Sequence, residues 1–365
     1  MFNGSRNPVF VLGAGATKAC GGPITNEILP LAFTPEFRER MKREDYLERI
    51  DSCLIRHFHL PVDPKDRLPD DYPSLTLMLS VLDLAIDQKR PFENTWDVAA
   101  LAECRSALEY VIFSVLDLAL ERVRVDYYQQ MMDALQVEIG AAPQVLSLNY
   151  DLMADNVLFG LADKHNARPD YGCDIQTEAY RAAPVHGRIL KLHGSLNWLY
   201  CPSCQRLNIG MSESCKRRTT SHLVRQLFER HPLNTDFQCS SCRCDRCTTQ
   251  LRPVLVTPSF AKQYTNPHLQ SVWYEAERML RNCDHVCFVG YSLPEDDIHV
   301  INLLRRGLAH LPTDRVTVVG KLDNADSMPT RRRYRSLFGP DIEWHCDGLA
   351  AWIESVTPGT VGAVA

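Results

Sequence analysis

His193 closes the apolar run Arg188-Ile189-Leu190-Lys191-Leu192 and is followed by Gly194. An imidazole at such a strand end can face a crevice and act as a base near neutral pH, or it can serve as a structural hydrogen-bonding group. Asn149 and Asp151 follow the run from Gln144 to Leu148 and are one residue apart, so both can reach one ligand. An Asx turn or a helix N-cap is the alternative for this pair. A third run, Val9-Phe10-Val11-Leu12, breaks into Gly13-Ala14-Gly15-Ala16-Thr17. Two glycines where a strand enters a helix let backbone N–H groups approach a pyrophosphate at the positive helix end, or they simply form a tight turn. Lys18 stands where a full G-x-G-x-x-G has its last glycine, and there is no Walker A sequence. Ser292, two residues after Gly290, can cap the next helix or bond a phosphate.

A second chemistry lies in the thiols. Of 14 cysteines, half crowd between Cys201 and Cys247, where three Cys-x-x-Cys pairs occur: Cys201/Cys204, Cys239/Cys242 and Cys244/Cys247. Two such pairs supply four thiolates to a tetrahedral Zn²⁺, and four protein ligands leave no open position, so the metal would staple a module and not catalyse. The gap between the first and last pairs exceeds the usual ribbon spacing of about 15–20 residues, which an inserted helix from His222 to Arg230 accommodates. A redox pair is the alternative, against which stands the clustering of pairs without a thioredoxin-like context. Cys53, Cys104 and Cys287 lie singly in apolar patterns and read as buried free thiols.

These residues need elements to hold them. Apolar runs at residues 9–12, 144–148, 188–192, 253–256, 285–289 and 315–319 each end in polar or Gly-containing residues, and most are separated by helix-compatible stretches. That rhythm predicts a doubly wound α/β fold, a parallel sheet covered on both faces with ligands at the strand ends. From Phe37 to Leu135 the spacing turns helical, as in Leu108, Val111, Ile112 and Val115, which predicts an inserted helical layer. Residues 201–250 interrupt the rhythm with cysteines and the basic run Lys216-Arg217-Arg218, and the tail after Pro358 is expected to be poorly ordered. The expected organisation is a core of residues 1–34, 141–200 and 252–365, a helical insert 35–140 and a zinc-binding module 201–251.

Composition is ordinary, 45% hydrophobic and 23% charged, and a net charge of -5 offers no general attraction to nucleic acid or anionic membrane. No apolar run approaches the ~20 residues of a membrane span, and the polar lead into the first strand does not read as a signal peptide. The expectation is a cytoplasmic chain without a membrane or a directly bound nucleic acid.

Taken in order, the motifs resemble the sirtuin (SIR2-like) family. Gly13-Ala14-Gly15-Ala16-Thr17 is similar to its first nucleotide loop, Leu148-Asn149-Tyr150-Asp151 to its Q-N-x-D strand end, Lys191-Leu192-His193-Gly194 to its catalytic His-Gly, and Gly290-Tyr291-Ser292-Leu293 to its later loop. Cys201/Cys204 and Cys244/Cys247 resemble its zinc pairs, the latter chosen because Leu251-Arg252-Pro253 follows. The resemblance implies a Rossmann-like, sirtuin-type core that takes NAD as substrate, and a small zinc-ribbon module holding structural Zn²⁺. It implies that His193 takes a proton from a ribose hydroxyl or water, that Asn149 holds ribose or the attacking water, and that Asp151 orients the nicotinamide amide. Gly13, Ala14, Gly15, Thr17, Ser147, Gly290 and Ser292 would hold the rest of the dinucleotide, with Lys321 and Asp323 near its adenosine end.

The departures carry equal weight. The family's protein deacylases have a Pro-Asp-Phe-Arg stretch after the first loop and a Phe-Gly-Glu after the zinc module; this chain has Gly22-Pro23-Ile24-Thr25-Asn26-Glu27 and Val256-Thr257-Pro258-Ser259-Phe260. Those stretches resemble the divergent SIR2-like proteins of bacterial antiphage defence, which hydrolyse NAD and often assemble as homo-oligomers or with an ATPase or Argonaute-like partner. Zinc pairs are less usual there. Hydrolysis of NAD is therefore the leading expectation, NAD-dependent lysine deacylation the alternative, and an NAD or ADP-ribose sensor without turnover a third.

Overall fold

A computed structural model describes residues 5–41, 43–120, 123, 125–139, 142–175, 182–209, 243–260, 262, 264–322 and 328–356. Seven parallel strands form the main sheet: β1 (Pro8–Leu12), β2 (Gln144–Ser147), β3 (Arg168–Asp170), β4 (Val185–Lys191), β8 (His285–Val289), β9 (Val316–Val319) and β10 (Glu343–His345). Their order is β10-β9-β8-β1-β2-β4-β3, with every neighbouring pair parallel. All five residues of β1 and of β8 are buried, as strands covered on both faces must be. The chain runs outward from β1 in both directions, so the crevice over the carboxyl ends of β1 and β8 is the topological switch point of the sheet.

The first core packs this sheet against α1 (Ala14–Ala19), α7 (Tyr127–Ile139), α8 (Met153–Asp163), α9 (Pro267–Arg281), α10 (Ile298–Gly307), α11 (Pro329–Phe338) and α12 (Leu349–Val356). Helix α9 shows why such segments form. Asn266 caps it by accepting from the N–H groups of His268 and Leu269, Pro267 sits at its first position, and Leu269, Val272, Ala276, Met279 and Leu280 recur on one buried face.

The helical insert expected at residues 35–140 contains α3 (Pro35–Arg40), α4 (Glu44–Phe58), α5 (Leu75–Asp87) and α6 (Val98–Leu120); α2 (Ile28–Ala32), expected with the core, packs with them, whereas α7, expected in the insert, packs in the first core. Ser74 caps α5 through Leu77 N–H at 3.1 Å, and α4 ends on His59 in the left-handed conformation. Cys53, Cys104 and Cys287 are buried free thiols, as their apolar settings require. The layer closes a second core that also includes Leu196, Leu199, Cys201, Cys244 and Leu251 from the thiol-bearing module. The helices and that module are thus one hydrophobic unit.

One strand assignment needs correction. The run at residues 253–256 forms β7 (Arg252–Leu255), but it lies outside the parallel sheet, in an antiparallel sheet of order β6-β5-β7 with β5 (Gly194–Tyr200) and β6 (Leu207–Ile209). A short apolar run does not reveal its partner; here the partner is the strand that doubles back directly after His193. Gly194, at φ 80°, makes that reversal, and a Cβ there would stand 2.0 Å from the Val254 carbonyl oxygen. The sheet's outer strands β3 and β10 leave no periodic signal in the sequence, because each is three residues long without an apolar run, Arg-Pro-Asp and Glu-Trp-His. The expected helix at 222–230, the basic run at 216–218, Cys239, Cys242, Asp323 and the tail after Pro358 lie outside the described residues. No helix among the described residues is long and apolar enough to cross a membrane.

Candidate active site and thiolate cluster

At the switch point the turn after β1 packs directly on the turn after β8. Gly13 N–H donates to the Val289 carbonyl at 3.0 Å and Gly15 N–H to the Gly290 carbonyl at 2.8 Å. These two N–H groups therefore serve turn-to-turn packing, which matches the tight-turn alternative for the motif. Gly290 is the tightest position of these two turns: its φ is +64° and a Cβ would lie 2.0 Å from Ala16 N. Replacing Gly290 with alanine combines left-handed strain with a backbone clash. We expect it to lower unfolding free energy by about 2–5 kcal/mol in a urea titration, and an unchanged midpoint would contradict this packing.

Beneath the turn lies a buried polar network. Asn149, at the end of β2, directs Nδ2 to the Gly13 carbonyl at 3.0 Å and to Thr17 Oγ1 and the Tyr128 hydroxyl, each at 3.1 Å. Thr17 Oγ1 donates to Asp151 Oδ2 at 2.7 Å. Asp151 Oδ1 accepts from Met153 N–H at 3.0 Å, so this carboxylate also makes the Asx-type start of α8. Burial pushes the Asp151 carboxyl up, against the opposing pull of Lys191. Ser147 Oγ accepts from Asn149 N–H at 3.2 Å and fixes the bend between strand and loop. The structure thus brings Thr17, Ser147, Asn149 and Asp151 together. Ser292 is exposed, and its carbonyl accepts from Arg333 Nη2 at 3.0 Å.

His193 stands at the end of β4, buried, with Nδ1 3.2 Å from the Leu148 carbonyl. A carbonyl only accepts, so Nδ1 carries the hydrogen and the neutral ring presents a bare lone pair at Nε2. Nε2 is buried and has no hydrogen-bond partner among the described residues. It faces Asp297 Oδ1 at 3.7 Å. Burial lowers the imidazole pKa, and Asp297 pulls it back up.

Several residues of this region carried no motif. Tyr128 comes from α7, 21 positions before Asn149, and its phenol is pushed up by burial and by Asp151. Lys191 was visible only as a neighbour of His193. Its side chain is fully buried, and Nζ contacts the carbonyls of Tyr150 and Asp151 and pairs with Asp155 Oδ2 at 2.8 Å. Tyr171 donates its hydroxyl to Asp155 Oδ1. Asp297 and Lys262 lie far along the chain from His193; the only local hint was the acidic pair Asp296-Asp297 at the start of α10.

The thiols form a separate centre. The Sγ atoms of Cys201, Cys204, Cys244 and Cys247 all lie within 4.8 Å of one another, with Cys201 3.4 Å from Cys247 and Cys204 3.5 Å from Cys244. Tetrahedral Zn–S bonds of about 2.3 Å place sulfurs about 3.8 Å apart, so the four thiols fit structural Zn²⁺. Two matching knuckles hold them. Gln205 N–H bonds the Cys201 carbonyl and Thr248 N–H the Cys244 carbonyl, each at 2.9 Å, and Gln205 and Thr248 both have φ 59°. The doubly wound parallel sheet and the four-cysteine group expected from the sequence are present in the strand order and the thiol cluster.

No protein-family model matches the chain, and no curated protein matches it. Solved structures similar to it include one from a study of the mechanism and regulation of Sir2 enzymes, 14% identical, covering 96% of this chain and 91% of that one with a TM-score of 0.46. A Sir2 homologue–NAD complex is 14% identical over 97% of this chain and 88% of that one, TM-score 0.45. A mutant Sir2 homologue in complex with ADP-ribose is 14% identical over 97% and 91%, TM-score 0.45.

Proposed function

We propose that this chain is an NAD⁺ glycohydrolase, converting NAD⁺ and water to nicotinamide, ADP-ribose and a proton. The observation that carries the reading is the buried, uncommitted Nε2 of His193 at the end of β4, beside the loop that presents Asn149 and Asp151. Scission of the nicotinamide–ribose bond passes through an oxocarbenium-like state that requires positioning more than strong acid catalysis. His193 takes the proton of the attacking water or of a ribose hydroxyl, Asn149 holds ribose or that water, and Asp151 orients the nicotinamide amide. Gly13, Ala14, Gly15, Thr17, Ser147, Gly290 and Ser292 form the floor under the remainder of NAD⁺. The chain lacks both the Pro-Asp-Phe-Arg and the Phe-Gly-Glu stretches of peptide-deacylating relatives, which favours hydrolysis without an acyl-lysine substrate.

The proposed setting is NAD⁺ depletion in the cytoplasm during antiphage defence, by a homo-oligomer or with an ATPase or Argonaute-like partner. Its support is the resemblance of residues 22–27 and 256–260 to defence proteins. The four-cysteine cluster favours a second reading, NAD-dependent lysine deacylation. Purified protein incubated with NAD⁺ separates the two. Release of nicotinamide and ADP-ribose without peptide is expected, with His193→Ala slowing it about 100- to 10,000-fold and Asn149→Ala also strongly impaired. Strict dependence on an acetylated peptide, with O-acetyl-ADP-ribose as product, would replace hydrolysis by deacylation.

A further inference from the structure

His193 has a charged neighbour that the motif alone does not contain. Asp297 Oδ1 lies 3.7 Å from Nε2, and both side chains are buried. Asp297 is itself held on two sides: Tyr291 donates its hydroxyl to Oδ2 at 2.9 Å, and Lys262 Nζ contacts Oδ1. Lys262, whose side chain is 2% exposed, is shared with Asp296, through its carbonyl and Oδ2 at 3.2 Å each. Lys262 lies after β7, two residues beyond Phe260, and Asp297 precedes α10. Three separated pieces of chain, bearing His193, Lys262 and Tyr291 with Asp297, thus meet at the Asp297 carboxylate.

We propose that Asp297 is the charge partner of His193, a positioning residue that stabilises the imidazolium, and that Lys262 limits how strongly it does so. Its chemical consequence rests on the hydrolase reading above. When water or a ribose hydroxyl gives its proton to Nε2, the positive charge appears opposite the Asp297 carboxylate in a site with little water to stabilise it. At 3.7 Å the carboxylate is close enough to favour that charge, and as an acceptor only it leaves the Nε2 lone pair free to take the proton. The proton leaves to solvent after turnover, and Asp297 keeps its charge throughout.

The directions of titration agree with this arrangement. Burial pushes the Asp297 carboxyl up, but His193 and Lys262 outweigh it and hold it below the usual carboxylate range. Around His193 the other facing groups are Asp296, which assists protonation, Lys262, which opposes it, and the Tyr150 phenol, whose ring centroid is 6.3 Å away and which burial keeps neutral. The two charges thus act on His193 with opposite signs.

The test is the pKa of His193 in the full chain, followed by NMR of ¹³C,¹⁵N-histidine-labelled protein and assigned by its disappearance in His193→Gln. Asp297→Asn should lower that pKa by about one to two pH units, and Lys262→Met should raise it. In the active protein the acidic limb of nicotinamide release should move with it in each variant. An unchanged His193 pKa in folded Asp297→Asn, or shifts of the same sign in both variants, overturns the proposal. If Asp297→Asn does not fold, Lys262→Met decides alone, since an unchanged or lowered pKa there also overturns it. Should the unaltered protein release no nicotinamide, the hydrolase reading fails while the NMR titration still decides the pairing.

Discussion

Stripping zinc with a chelator, or replacing Cys244 with serine, should unfold the helical layer as well as the thiol-bearing ribbon. Cys201 and Cys244 are buried, at 0% and 1% exposure, within the same core as Leu47, Ile50, Leu79, Leu108 and Val111 of α4, α5 and α6. Structural Zn²⁺ contributes apparent binding free energies of about 10–16 kcal/mol in small zinc modules, and where the site forms only on folding this is folding free energy. Without the metal, four thiols at these separations lose the bonds that hold both knuckles, and the core face they complete opens to water. The expected result is one zinc per chain by atomic absorption, and on chelation a loss of amide protection across α4, α5 and α6. Strands β1 and β8, which belong to the other core, should keep theirs. A metal-free or Cys244→Ser protein with undiminished protection in those helices would show that the two parts are energetically independent.

The second large effect belongs to Lys191 and Asp155. Lys191 is fully buried, its ammonium accepted by Asp155 and by the carbonyls of the loop that carries Asn149 and Asp151. Removing one partner strands the other's charge in the interior, at about 3–5 kcal/mol. Lys191→Met and Asp155→Asn should each lower stability by that order in urea denaturation. The paired replacement Lys191→Met/Asp155→Leu should cost distinctly less than the two losses summed, because it leaves no unpaired charge. Single losses within about 1 kcal/mol would mean that water reaches the pair. Because Lys191 also restrains the Tyr150 and Asp151 carbonyls, turnover by Lys191→Met should fall even at temperatures where the variant is fully folded.

Much of the frame was legible because it is local. Residues 9–12, 285–289 and 316–319 are mostly apolar and buried on both faces, and the turns that follow them contain the residues found at the switch point. The spacing of Cys201/Cys204 and Cys244/Cys247 likewise anticipated the cluster, since a Cys-x-x-Cys knuckle is a property of a few consecutive residues. The helical period of residues 37–135 was equally readable.

What the sequence did not contain was partnership. Residues 253–256 read as one more core strand, and only contact with residues 194–200 placed them in the antiparallel sheet. His193 stood out by its strand-end position, but Leu148 defines its tautomer and Asp297 its charge environment, 45 and 104 residues away. Tyr128 reaches Asn149 from a helix whose sequence pattern reports only its apolar face. The sequence by itself determined where strands end and which groups sit there, because strand burial and turn chemistry are written in neighbouring residues. The tertiary structure decided which of those groups share a proton, a charge or a metal, because at distances of a few ångströms between remote segments that outcome depends on how the whole chain packs.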